Sequence, residues 1–269
     1  MIDLLLTGAN GKMGSLLATT AAQQDDLRLV ALVDPAFTTG DLIDLPQGKQ
    51  APAFATLGEA LAACKAQVAV DFTVPAAVFG NVTQLLSAGV HTVVGTTGLD
   101  DDRIDLLRSV AVTNHVNLLV APNFSIGATL MMRFAAEAAR HFPAAEIVEL
   151  HEAGKKDAPS GTALRTALLM AEVERGASAT GAPARDAATP RDAPLPSRGL
   201  EAAAGIRIHS VRLPGLVAHQ EVLLSGHGEL LTLRHDTLSR ESFMPGVLLA
   251  IRAVTRLGGT VVGLEHLLT

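Results

Sequence analysis

The chain has neither tryptophan nor tyrosine, a single cysteine, Cys64, and no basic stripe. Without Trp or Tyr it has little with which to stack bases, and a formal charge of −6 at pH 7 argues further against a nucleic-acid partner. One cysteine excludes an intramolecular disulfide and a multi-thiolate metal centre, so no metal is expected. The lone thiol also fits a reducing compartment. No apolar run approaches the length of roughly 20 residues that a membrane span needs. The first residues enter Ile2-Asp3-Leu4-Leu5-Leu6 with no basic leader. A cytoplasmic protein with no membrane partner is expected.

Hydrophobic residues make up 48% of the 269 and charged residues 18%, which provides for a sizeable core. The length is long for one domain and short for two independent ones, so an interrupted domain or a pair sharing an interface is expected. Ile2 to Leu6 is an apolar run that ends in Thr7-Gly8-Ala9-Asn10-Gly11-Lys12-Met13-Gly14, after which Leu16, Leu17, Thr20 and Ala21 recur at helical spacing. A second run, Leu29 to Val33, ends at Asp34, twenty residues past Gly14. Strand, glycine turn, helix and a distal acid are the parts of a nucleotide site. The turn lets backbone approach a pyrophosphate at the helix N-terminus, and the acid accepts hydrogen bonds from ribose hydroxyls. The spacing is Gly-x-x-Gly-x-x-Gly, a departure from Gly-x-Gly-x-x-Gly, and by itself it also suits a plain tight turn.

Residues 38–52, rich in Gly, Pro and Asp, read as a surface loop. Strands are expected at 68–72, 90–94 and 117–120, each followed by a polar turn and a helix. Alternation of this kind implies a doubly wound parallel sheet that binds ligands beyond the carboxyl ends of its strands. Gly95-Thr96-Thr97-Gly98 lies at one such end, where simple punctuation is the plainer alternative. The pattern then changes. Residues 176–204 lack periodicity and read as a long mobile loop, and runs at 205–212, 216–224 and 229–235 read as an antiparallel meander in a second, smaller domain. A last helix is expected from Ser239-Arg240-Glu241.

Glu146 to Arg165 carries the densest chemistry. An alternating strand ends at His151, a loop follows with Lys155 and Lys156, and Asp157-Ala158-Pro159-Ser160-Gly161-Thr162 opens a helix. Ser160 is the natural N-cap, which leaves the amides of Gly161 and Thr162 as an anion site. An imidazole and an amine four residues apart beside that site suit a small acidic substrate that must be held and protonated.

These strings, with Asp71-Phe72-Thr73 and Ala121-Pro122-Asn123-Phe124-Ser125, occur in the order seen in 4-hydroxy-tetrahydrodipicolinate reductases, and the chain resembles that family over essentially its whole length. The resemblance implies a Rossmann-like α/β domain at 1–122 and 240–269. It implies an α+β substrate domain with a mixed or antiparallel sheet at 123–239, which usually builds a homotetramer. It implies reduction of 4-hydroxy-tetrahydrodipicolinate in the diaminopimelate and lysine route, with NADH or NADPH as reductant. Gly8, Ala9, Asn10, Gly11, Lys12, Met13, Asp34, Gly95, Thr96, Thr97, Ala121, Pro122, Asn123 and Phe124 would contact the cofactor. His151 and Lys155 fall on the catalytic positions, and Ser160, Gly161 and Thr162 on those that bind the dicarboxylate substrate. With an acid at Asp34 and no cation in Pro35-Ala36-Phe37, NADH is expected to be preferred. One departure stands out: His151 is followed by Glu152, where the family commonly has a second histidine. Two other classes share parts of this pattern. A different two-domain dehydrogenase has no reason to keep the Lys155 to Thr162 string, and a silent nucleotide-binding protein has no reason to keep its acid/base groups.

Overall fold

The structure, a computed structural model, describes residues 1–178 and 196–268. The chain divides into two compact units, Met1–Ser125 with Phe243–Thr269, and Ile126–Ser242. In chain order the first unit begins β1 (Ile2–Thr7), α1 (Lys12–Ala22), β2 (Leu27–Val33), β3 (Leu42–Asp44), β4 (Gln50–Phe54), α2 (Leu57–Ala63) and β5 (Val68–Asp71). It continues through α3 (Val78–Ser87), β6 (His91–Val94), α4 (Asp101–Thr113) and β7 (Leu118–Val120). The second unit holds α5 (Ile126–Ala138), β8 (Ala144–His151), α6 (Gly161–Ser178), β9 (Leu200–Glu201), β10 (Arg207–Arg212), β11 (Ala218–Gly226) and β12 (Glu229–Thr237). The chain then returns to the first unit with α7 (Met244–Val254) and β13 (Thr260–Val262).

The first unit is an eight-stranded sheet of order β13-β7-β6-β5-β1-β2-β4-β3, parallel at every ladder except β3 with β4. Leu4, Leu5, Leu6, Val68, Ala69 and Val70 have no exposed surface, as expected of strands covered on both faces. The chain leaves β1 on one side for β2 and returns on the other for β5, so the switch point of the sheet lies beside the first glycine turn. Residues 38–52 are not the loop their composition suggests. They form the β3–β4 hairpin, in which the glycine and proline of Pro46–Gly48 supply the turn while buried Ala51, Ala53 and Phe54 supply the strand. At the other end of the chain Arg240–Phe243 is a 3-10 turn, and α7 starts only at Met244, with Pro245 in its first turn, where the missing N–H costs nothing.

The second unit is a five-stranded sheet of order β12-β11-β8-β10-β9. The expected meander is corrected here: β10 and β11 are not neighbours, because β8 lies between them, parallel to β10 and antiparallel to β11. A parallel partner needs a long crossover, and α6 supplies it. Of the region read as a loop, α6 extends to Ser178 and β9 pairs with β10, while 179–195 lie outside the described residues. Helices α5 and α6 cover one sheet face through Met131, Met132, Ala135, Ala163, Ala167 and Met170. On the opposite face Val148, Leu150 and Leu223 are half-buried and Leu230 is exposed. Among the described residues no helix is long and apolar enough to cross a membrane.

The glycines of the first unit differ sharply in what a side chain would meet. A Cβ on Gly14 would lie 2.0 Å from the Gly8 carbonyl oxygen, whereas exposed Gly80 in α3 has nothing within 4 Å. Gly14→Ala is therefore expected to cost about 1–3 kcal/mol, the scale of overpacking. Gly80→Ala should stabilise by about 0.5–1 kcal/mol through helix propensity. Urea denaturation of the two variants checks both signs.

Candidate active site

The carboxyl end of the first sheet is assembled from the five turns that follow β1, β2, β5, β6 and β7. Gly8 adopts φ 73°, and a Cβ there would sit 2.3 Å from the Phe72 carbonyl oxygen, so the turn after β1 packs directly on the turn after β5. Gly11 precedes α1 with extended backbone and no capping side chain, which leaves the amides of the first helical turn available. Asn10, Gly11 and Lys12 are exposed. Asp34 follows β2 and accepts from the amides of Asn10 at 3.1 Å and Ala36 at 3.0 Å, which aims its carboxylate along the glycine turn. Gly95 touches the rings of Phe72 and Phe124, which meet edge to face at 5.9 Å. The Ala121 amide donates to Val94 at 2.9 Å, and Asn123 accepts from the Ser125 amide at 2.8 Å. Gly8 to Met13, Asp34, Gly95 to Thr97 and Ala121 to Phe124 are thus brought to one edge.

Holding that edge is a residue sequence reasoning gave no role. Asp71, fully buried, accepts from the Thr7 hydroxyl at 2.8 Å, the Thr73 amide and hydroxyl at 3.1 and 2.7 Å, Asn81 at 3.1 Å and the Thr96 hydroxyl at 2.6 Å.

In the second unit the strand alternation of β8 sends Ala145, Ile147 and Glu149 to the helix-covered face, and His151 follows at the same period. Glu149 is fully buried. Its Oε1 accepts from Arg212 Nη2 at 2.8 Å and the Ser160 amide at 3.3 Å. Its Oε2 accepts from Arg212 Nη1 at 2.9 Å and His151 Nδ1 at 2.5 Å. Burial pushes the Glu149 carboxyl up, but hydrogen bonds from Arg212, Ser210 and His151 outweigh it and hold the group below the ordinary carboxylate range. Burial, helped by Lys155 and Arg212 and opposed by Glu149, holds the His151 imidazole below its usual value. The guanidinium also donates to the Asp157 carbonyl at 2.7 Å, and the Asp157 carboxylate accepts from Lys155 Nζ at 2.8 Å. Ser160 caps α6 by accepting from the Ala163 amide at 3.2 Å, with Gly161 exposed and Thr162 half-buried beyond it.

His151, Lys155, Ser160, Gly161 and Thr162 therefore share one wall of the unit. Glu149 and Arg212 were missed. The signal for Glu149 was present, an acid two residues before a histidine on a core-facing strand position. For Arg212 there was none, because it becomes a neighbour of His151 only through the β8–β10 ladder. The Glu152 carboxylate meets Arg240 at 3.6 Å on the exposed side of the loop.

Comparison with known proteins agrees along the whole chain. Residues 2–124 match the family described as dihydrodipicolinate reductase, N-terminus, and residues 127–268 the one described as dihydrodipicolinate reductase, C-terminus. A 4-hydroxy-tetrahydrodipicolinate reductase of Moorella thermoacetica is 46% identical over 99% of this chain and 98% of its own. One from Listeria welshimeri is 43% identical over 99% and 100%. Among solved structures, the dipicolinate-bound dihydrodipicolinate reductase from Paenisporosarcina sp. TG-14 is 40% identical, covers 99% of both chains and superposes with a TM-score of 0.82. With both halves matched and nearly the full length of each relative covered, the chain belongs to the dihydrodipicolinate reductase family.

Proposed function

We propose that the chain reduces 4-hydroxy-tetrahydrodipicolinate to tetrahydrodipicolinate in the diaminopimelate and lysine route, with His151 and Lys155 as the groups that handle the proton. The family uses NAD(P)H, and the N-terminal unit is a nucleotide-binding domain. The observation that carries the reading is that an imidazole and the capped start of a helix both contact one buried carboxylate, with the Lys155 ammonium paired to Asp157 on the loop between them.

The residues present fit a dinucleotide. The exposed glycine turn and the uncapped first turn of α1 suit a pyrophosphate, and Asp34, held by two amides, suits a ribose diol. A reduced nicotinamide held there would supply a hydride. Overall the substrate ring would lose one water and gain that hydride and one proton, the proton being delivered by the protein at the enamine carbon. Lys155 and the amides of Gly161 and Thr162 grip the two carboxylates, the class of ligand borne by the Paenisporosarcina relative. Burial disfavours the charged form of His151 and holds its imidazole below the usual value in the free protein. A dianion bound beside it favours the imidazolium, so substrate binding itself loads the proton. Glu152 adds no uncompensated charge, since Arg240 offsets it.

Lys155→Ala is expected to lower turnover at least ~100-fold, the lower end of general-acid assistance, with little change in cofactor affinity. His151→Gln should also lower turnover and flatten the pH profile near neutrality. Steady-state kinetics with enzymatically generated substrate check both, and unchanged turnover would remove the residue from the mechanism.

For the cofactor, a carboxylate fixed by Asn10 and Ala36 faces a 2′-phosphate with like charge, while the flexible, exposed Lys12 offsets part of the repulsion. NADH is expected to bind about 10-fold more tightly than NADPH, on the order of 1.4 kcal/mol. Asp34→Ala should erase most of that gap and Lys12→Ala widen it. Reduced-nicotinamide fluorescence reads this easily in a protein without Trp or Tyr, and tighter binding of NADPH would contradict it.

The sheet face of the second unit that carries Val148, Leu150, Leu223 and Leu230 offers an apolar surface for a second copy of the chain, and a homotetramer is the proposed assembly. Light scattering at micromolar concentration tests it, and a monomer would refute it.

A further inference from the structure

We propose that Glu149 is a positioning residue that holds His151 in its Nδ1–H tautomer, so that every proton His151 gives or takes passes through Nε2, with Arg212 keeping the buried carboxylate in place. The proposal rests on the reading of His151 as an acid/base group.

The count of donors and acceptors decides the tautomer. An ionised carboxylate only accepts. A ring nitrogen 2.5 Å from Glu149 Oε2 must therefore carry its hydrogen whether the imidazole is neutral or charged. Nδ1 is thereby removed from chemistry, and the lone pair of the neutral ring is left on Nε2. A fully buried carboxylate would instead take up a proton and lose this hold if nothing opposed it. Arg212 opposes it with a two-pronged contact at 2.8 and 2.9 Å, the geometry in which guanidinium binds carboxylate best. The Ser160 amide donates to the same Oε1 that Arg212 Nη2 reaches, and Ser210 adds a side-chain donor. The charged groups acting on the imidazole are Glu149 on its own strand, Arg212 on the adjacent β10 and Lys155 on the following loop, whose ammonium is itself paired with Asp157. Glu149 alone among them favours the imidazolium.

The substitution Glu149→Gln is a direct probe. An amide side chain at this position cannot reproduce the arrangement, because its single carbonyl serves either His151 or Arg212 and its NH2 presents a donor to the other. The first measurement needs no variant. Long-range 15N–1H correlation of the imidazoles in the intact protein, above the titration range, should show His151 with a protonated Nδ1 and a bare Nε2, the resonance being assigned by its loss in His151→Gln. An Nε2–H tautomer overturns the proposal. In Glu149→Gln the His151 titration midpoint should move to lower pH, and the histidine limb of kcat/KM should move with it. Turnover should drop roughly 10- to 100-fold, the scale on which the hydrogen-bond partners of metal-bound histidines act. Glu149→Asp, which keeps the charge, should recover much of both. A midpoint unmoved in Glu149→Gln also overturns the proposal, and if that variant fails to fold the tautomer decides alone. Should the tautomer and the midpoint behave as expected while turnover stays at the wild-type value, Glu149 holds His151 as described and it is the acid/base reading of His151 that falls.

Discussion

A carboxylate without exposed surface stays ionised only where donors replace the water it has lost, and Glu149 meets that condition with donors from Arg212, His151, Ser160 and Ser210. The energetics are lopsided. A buried ion pair adds little to stability over a hydrophobic pair, yet removing one partner costs about 3–5 kcal/mol because the other is stranded. The pair of Glu149 and Arg212 therefore matters less as a source of stability than as a constraint. It fixes β8 against β10, ties the Asp157 carbonyl and the start of α6 to both, and sets the hydrogen-bonded face of His151. Lys155 enters the same arrangement through Asp157.

The first unit solves a similar problem without a cation. Asp71 has no exposed surface and no ion pair among the described residues, and its oxygens are satisfied by three threonines and one asparagine. Those donors come from β1, from the turns after β5 and β6, and from α3, so one side chain holds together the segments that frame the proposed nucleotide site. In both units a buried acid at the carboxyl end of a central strand does the same physical work: its unmet acceptors dictate where the surrounding loops can lie.

What could be read from the sequence was what is local. The turn from Gly8 to Gly14 follows an apolar strand and opens a helix within a dozen or so residues, and Ser160 caps α6 as its position before Gly161 and Thr162 indicates. What could not be read depends on partners far apart in the chain. Arg212 lies 63 residues from Glu149, and reading 205–235 as a meander placed its strand beside β11 instead of β8. The β3–β4 hairpin was hidden because turn-forming residues dominate its composition, although Ala51, Ala53 and Phe54 are buried. Pattern also overstates burial on the helices: Phe134 in α5 and Leu164 and Leu168 in α6 stand at helical spacing but are 57%, 38% and 44% exposed.

The proposed chemistry requires that this chain move a hydride from a nicotinamide to a ring dicarboxylate and complete the product with a proton of its own. The most direct measurement supplies NADH carrying deuterium at the transferred position, together with freshly generated 4-hydroxy-tetrahydrodipicolinate, and follows the product by mass spectrometry and NMR. The expected product is tetrahydrodipicolinate bearing one deuterium per cofactor oxidised, with no label at the neighbouring carbon that takes its proton from the protein. Oxidation of the cofactor without label in the ring, or no oxidation at all with this substrate, would contradict it.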